Sequence, residues 1–163
     1  MARDPLRTLA ASVGARLKER GLKLATAESC TGGWIAQAVT SVSGSSVWFE
    51  RGFVTYSNEA KREMLGVRAA TLSRHGAVSE ETAREMAAGA LAHSRARVAV
   101  SVTGVAGPTG GTRSKPVGMV CLAWAGGGGA SRSVTRQFSG DRESVRRQSV
   151  IAALQGVLET LES

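Results

Sequence analysis

The chain has 163 residues, a length that fits one domain and buries roughly two-thirds of its unfolded surface. It carries 21 Lys and Arg against 13 Asp and Glu, a net charge of +8, and only 4% of its residues are aromatic. That excess attracts anions. The basic residues are mostly arginines scattered over predicted helices (Arg16, Arg20, Arg62, Arg84, Arg146, Arg147) with no interleaved aromatics, so nucleic acid is not the expected partner. The two cysteines, Cys30 and Cys121, have neither metal-ligand spacing nor a disulfide framework, which points to a reducing, cytoplasmic compartment and no metal. The start of the chain leads into a charged amphipathic stretch and not an apolar signal core. No run of about 20 apolar residues predicts a membrane span.

In chain order, Leu6, Leu9, Ala10, Val13 and Leu17 recur at helical spacing. Asp4 and Pro5 form a start signal and Gly21 a stop, which predicts a helix over 5–20. Residues 22–27 read as a buried strand, 31–40 as a helix opened by Gly32-Gly33, and 41–46 as a Ser/Gly loop. A strand over 51–56 precedes a short helix from Ser57 or Asn58 to Leu65. Residues 79–93 predict an amphipathic helix with acids in its first turn. Residues 97–103 predict a continuous apolar strand suited to a sheet centre. A Gly/Pro/Thr loop fills 104–116. Strands over 117–125 and 131–138, joined through Gly126–Gly129, predict an antiparallel hairpin. A last helix runs over 141–161. Helices alternating with strands give an α/β class with helices on both faces of one sheet.

Four places carry chemistry, and all follow strands, where open α/β sheets build their sites. In Ala27-Glu28-Ser29-Cys30-Thr31-Gly32-Gly33, a hydroxyl stands where a helix begins, and backbone N–H groups there can hold an oxyanion. The competing reading is that Ser29 or Thr31 only caps the helix. In Tyr56-Ser57-Asn58-Glu59-Ala60-Lys61, the lysine falls in a first helical turn, where the dipole disfavours a cation. Burial would lower its pKa further, and a neutral lysine can deprotonate a serine. The plain alternative is a surface lysine, and Tyr56 is either a site residue or a half-buried strand residue. The loop from Thr103 through Gly104, Ala106 and Gly107 lets a ligand approach the backbone. Lys115 faces either a phosphate or solvent. In Gly140-Asp141-Arg142, Asp141 suits a cap and Arg142 a clamp for phosphate or carboxylate. His75 and His93 lie outside these clusters and are assigned to structure, so a Ser-His-Asp triad is unsupported.

Taken together, these segments resemble the CinA C-terminal domain family, the PncC-type nicotinamide-nucleotide amidohydrolases. The resemblance includes Gly76-Ala77-Val78-Ser79 and Lys115-Pro116-Val117-Gly118 and covers a single domain over 5–161. It implies a three-layer α/β/α fold with a mixed, mostly parallel five-stranded sheet in which one strand is antiparallel. It also implies hydrolysis of the carboxamide of nicotinamide mononucleotide to nicotinate mononucleotide and ammonia, with no cofactor. By motif match, Ser29 is the nucleophile, Lys61 its base and Tyr56 an assistant. Cys30, Thr31, Gly32, Thr103, Gly104, Ala106, Gly107 and Arg142 surround the nucleotide. A homo-oligomer, dimer or higher, is implied as well. Some members carry an additional N-terminal domain, for which this chain is too short, so any pyrophosphatase activity associated with that domain is not expected. Two other readings stand beside this one. One is a non-catalytic module of the same fold that binds a nucleotide, RNA or protein. The other is a Ser-Lys amidase acting on another small amide.

Overall fold

The computed structural model describes residues 4–162. Asp4 caps the first helix by accepting from the Leu6 N–H at 3.1 Å, and Pro5 opens α1 (Pro5–Arg20). Gly21, with φ of 66°, ends it, and the Leu22 N–H returns to the Leu17 carbonyl. That return bond draws Leu22 out of the predicted strand. The strand β1 is therefore Leu24–Glu28.

After α2 (Trp34–Thr40) and a 3-10 turn at Ser45–Val47 come β2 (Phe49–Val54), α3 (Asn58–Leu65), α4 (Ala69–His75) and α5 (Glu80–Ala92). The chain closes with β3 (Val98–Gly104), β4 (Met119–Gly126), β5 (Arg132–Gln137) and α6 (Arg142–Glu162). The five strands lie in the order β2-β1-β3-β4-β5. β1 is parallel to β2 and β3, and β4 is antiparallel to β3 and β5. Only β4 runs against the rest, so the mixed sheet and the β4–β5 hairpin are as the sequence predicts.

The period of two along each strand sorts its side chains between two unlike faces. Leu24, Val98, Val100, Val102, Leu122 and Trp124 pack under α1, α2 and α6. Ala25, Ala27, Ala99, Cys121, Ala123 and Ala125 form the other face. Those small residues let α5 sit close, with Ala83, Met86, Ala87 and Ala90 buried against them. The Ser101 hydroxyl there donates to the Ala83 carbonyl at 2.5 Å. Two apolar layers covering one sheet make the three-layer α/β/α architecture.

One consequence decides where a site can be built. β2, β1 and β3 are parallel neighbours, so their C-terminal ends emerge along one edge of the sheet. The chain stays paired just past those ends. The Ser29 N–H donates to Val102 at 3.0 Å, and the Thr55 N–H donates to Glu28 at 2.8 Å. Ser29 and Thr55 are thereby held side by side.

Candidate active site

Ser29 sits on a turn and not on a helix. The Gly32 N–H closes the turn onto the Ser29 carbonyl at 3.0 Å, and α2 begins only at Trp34. Gly32 and Gly33 make the bend with φ of 59° and 103°, values costly for any residue with a Cβ. The N-terminus of α2 is served by Glu28. Its carboxylate accepts from the Ile35 N–H at 2.8 Å, the Ala36 N–H at 3.1 Å and the Thr31 hydroxyl at 2.6 Å. This corrects two sequence expectations. Neither Ser29 nor Thr31 caps the helix, and the first amides of α2 are occupied by an internal anion. Amides free to meet a ligand must come from the turn itself.

Lys61 comes from α3. Ser57 caps that helix by accepting from the Ala60 N–H at 3.0 Å, which puts Lys61 in the first turn as predicted. Its side chain then runs inward and is only 1% exposed. Nζ lies 3.0 Å from Ser29 Oγ, 2.9 Å from the Thr55 carbonyl and 3.1 Å from the Tyr56 carbonyl. Among the described residues, no carboxylate is paired with it. Burial lowers its pKa below the ordinary 10.5. The one opposing influence, a Cys30 thiolate, is absent at neutral pH, because burial pushes that thiol up to about 12. The same value removes Cys30 as a rival nucleophile.

The three partners of Lys61 suit both of its protonation states. A neutral amine has two N–H donors and one lone pair. The two carbonyls can take the donors, which leaves the lone pair for the serine hydroxyl. A protonated amine can donate to all three oxygens without moving. The cluster can thus gain a proton from Ser29 and hold it in place.

Ser29 and Lys61 open into a cleft of about 190 Å³, also lined by Cys30, Tyr56, Thr103, Gly104, Ala106 and Arg142. Tyr56 is 64% exposed and stands at the rim, where its hydroxyl accepts from Arg142 at 3.4 Å. Arg142 is anchored by donating to the Gly107 carbonyl at 2.9 Å. Thr103 is buried and spends its hydroxyl proton on the Ala77 carbonyl at 2.8 Å, so toward a ligand it can only accept. The other expected residues are not on the wall. Thr31 turns toward Glu28, Gly32 lies on the outside of the turn, and Gly107 acts through Arg142. Lys115 donates to the His75 carbonyl.

Asn58, Ala77 and Val78 line the cleft although the sequence reading assigned them no role. Each lies inside a quoted motif, which was the available signal. A second cleft of about 450 Å³ adjoins the first and shares Ala106 and Arg142 with it. A larger one, about 680 Å³, lies between α4 and α5 and shares none of these residues. The two histidines lie away from this cleft. His75 pairs with Glu81 at 3.2 Å, and His93 Nδ1 is 2.9 Å from the Gly89 carbonyl. Among the described residues there is no cluster that could hold a metal ion, and no helix is long and apolar enough to cross a membrane.

The sequence matches a known family over most of its length. The family model for the CinA C-terminal domain matches residues 6–161. The nicotinamide-nucleotide amidohydrolase PncC of Escherichia coli strain K12 is 56% identical over 155 residues, which cover 95% of this chain and 94% of that protein. The protein of the same name from Pseudomonas putida is 56% identical over 156 residues, covering 96% of this chain and 97% of that one. Among solved structures, the competence/damage inducible protein CihA from Agrobacterium tumefaciens superposes with a TM-score of 0.93 at 46% identity, covering 98% of this chain and 99% of that one. The chain belongs to the CinA C-terminal domain family.

Proposed function

We propose that this amidohydrolase cleaves the carboxamide of nicotinamide mononucleotide, with Ser29 as nucleophile and Lys61 as its only general base. The observation that carries the reading is the 3.0 Å approach of a buried, carboxylate-free lysine to a serine that opens into a cleft. The names of the relatives supply the substrate class.

The steps follow from the partners. Neutral Lys61 takes the Ser29 proton as Oγ attacks the carboxamide carbon, and the carbonyl electron pair moves to oxygen. Backbone N–H groups of the turn after Ser29 stabilise that oxyanion. The lysine returns its proton to the departing nitrogen, ammonia leaves, and an acyl group remains on Ser29. Water then attacks the acyl carbon with Lys61 again as base, which releases the carboxylate.

The 190 Å³ cleft is smaller than the roughly 300–1,000 Å³ of ordinary small-molecule sites. It suits the reacting ring alone. The ribose phosphate extends past Arg142 and Tyr56 toward the adjoining cleft. Arg142 is the cation placed to meet the phosphate.

The test is ammonia release from nicotinamide mononucleotide by wild type, Ser29→Ala and Lys61→Ala. Both variants are expected to fall to background. Turnover that survives in Ser29→Ala removes the mechanism. A folded wild type with no turnover removes the substrate assignment and revives a binding module.

A further inference from the structure

Arg146 reads in the sequence as one of several scattered surface arginines. In the structure it is half-buried and grips the nucleophile turn. Its Nε donates to the Cys30 carbonyl at 3.1 Å, and Nη2 donates to the Thr31 carbonyl at 3.1 Å. Its guanidinium lies 5.6 Å from the centre of the Trp34 ring. Among the described residues, no carboxylate pairs with it. A rigid planar fork is therefore directed at two consecutive peptide carbonyls beside Ser29.

The direction of those peptides matters. In a planar trans peptide, the C=O and the following N–H point opposite ways. The Cys30 carbonyl points at Arg146, so the Thr31 N–H points away from it. The Thr31 carbonyl also points at Arg146, and the Gly32 N–H accordingly points away, onto Ser29. No group among the described residues accepts from the Thr31 N–H. Ser29 and Cys30 line the cleft while Arg146 does not, so the arginine holds the turn from behind.

We propose that Arg146 is a positioning residue for the hydrolysis, one that fixes the backbone of the turn after Ser29 so that its free N–H groups meet the oxyanion. The inference rests on Ser29 being the nucleophile. A guanidinium on the Cys30 carbonyl also polarises that peptide and strengthens its N–H as a donor. The same helix, α6, then serves the reaction twice. Arg142 reaches the rim of the cleft, and Arg146, one turn later, braces the floor.

The oxyanion exists only after attack, so losing the brace should lower kcat and leave ground-state binding alone. Arg146→Met and Arg146→Lys are compared with wild type by ammonia release from nicotinamide mononucleotide, by product inhibition with nicotinate mononucleotide, and by inhibition with pyridine-3-boronic acid. The boronate forms a bond from Ser29 Oγ to boron and passes the serine proton to Lys61, which mimics the tetrahedral state. Loss of one oxyanion donor costs about 10²–10³ in kcat, and a displaced one should cost about 10–100-fold. Arg146→Met is expected to show that drop and an equal loss of boronate affinity. KM and product inhibition should stay within about threefold, and Arg146→Lys should recover part of the rate. A kcat near wild type in folded Arg146→Met, or a product affinity that falls as far as kcat, overturns the proposal. Hydrolysis of p-nitrophenyl acetate, with Ser29→Ala as control, separates the two readings. If wild type is silent on the nucleotide but shows Ser29-dependent esterase activity, the substrate assignment fails and Arg146 is judged on the ester. If Ser29→Ala keeps both esterase activity and boronate binding, both readings fail.

Discussion

Glu28 and Lys61 are both fully buried ionisable side chains, and they flank the same serine. Their surroundings are opposite in kind. Glu28 meets only donors, two helix N-terminal amides and a hydroxyl. Those groups satisfy a charged carboxylate and suit the positive end of α2. Lys61 meets two carbonyls and a hydroxyl, with no carboxylate to stabilise its charge. A buried charge that is fully solvated by the protein is structure. A buried amine left without an opposite charge is a proton acceptor. The difference lies in the partners, since both side chains are shielded from solvent.

The comparison breaks most visibly at Lys61. Lys61→Met should lose activity by at least about 10²–10⁴-fold, the usual contribution of a general base, in a protein that still folds by circular dichroism. Retained turnover would place the base elsewhere.

Stability against pH sharpens the contrast. The folded pKa of Lys61 lies below 10.5, so between those values the unfolded chain holds the extra proton. Stability from this group therefore rises with pH through that window and levels off above 10.5. Wild type should gain on Lys61→Met in urea unfolding as pH is raised toward 10. A flat difference would mean that the lysine is not titrating with folding.

Glu28→Ala tests the other side. It strands three buried donors, and losing hydrogen bonds to a charged acceptor should cost about 3 kcal/mol in urea unfolding. A loss below about 0.5 kcal/mol would show that α2 is capped by water and that Glu28 is dispensable.

Thr103→Val is the mildest change. It removes the bond to the Ala77 carbonyl at an expected cost of about 1 kcal/mol, with a rate loss well below that of Lys61→Met. A rate loss as large as that of Lys61→Met would give Thr103 a direct role in the chemistry.

Much of this could be read from residue patterns. The long helices have clear starts and stops, and the apolar run at 97–103 announces a central strand. The Gly126–Gly129 hairpin was legible for the same reason. Helix α4 was missed because it has seven residues and no side-chain cap. It is held in place by tertiary bonds, from the Arg68 N–H and the Thr71 hydroxyl to Glu85. The strand predicted at 51–56 lies at 49–54 because Thr55 keeps only its N–H bond to Glu28, and the Thr55 and Tyr56 carbonyls turn to Lys61. For the site, the odd position of Lys61 in a first turn was legible. Its closeness to Ser29 followed only from the family resemblance, because spacing alone does not say that β1 and β2 are adjacent. Glu28 and Arg146 were overlooked for opposite reasons. One is a carboxylate at the end of a buried strand, and the other resembles every other helix arginine until its carbonyl partners are seen.

The two carbonyls that hold Lys61 belong to the main chain. No single substitution deletes a carbonyl, so drift in the side chains at positions 55 and 56 leaves the setting of the base intact while the chain keeps its path. The Tyr56 side chain, exposed at the rim, is not tied to that main-chain role. On the proposed mechanism, side chains at the mouth of the cleft can change while the main-chain oxygens that set Lys61 stay where they are.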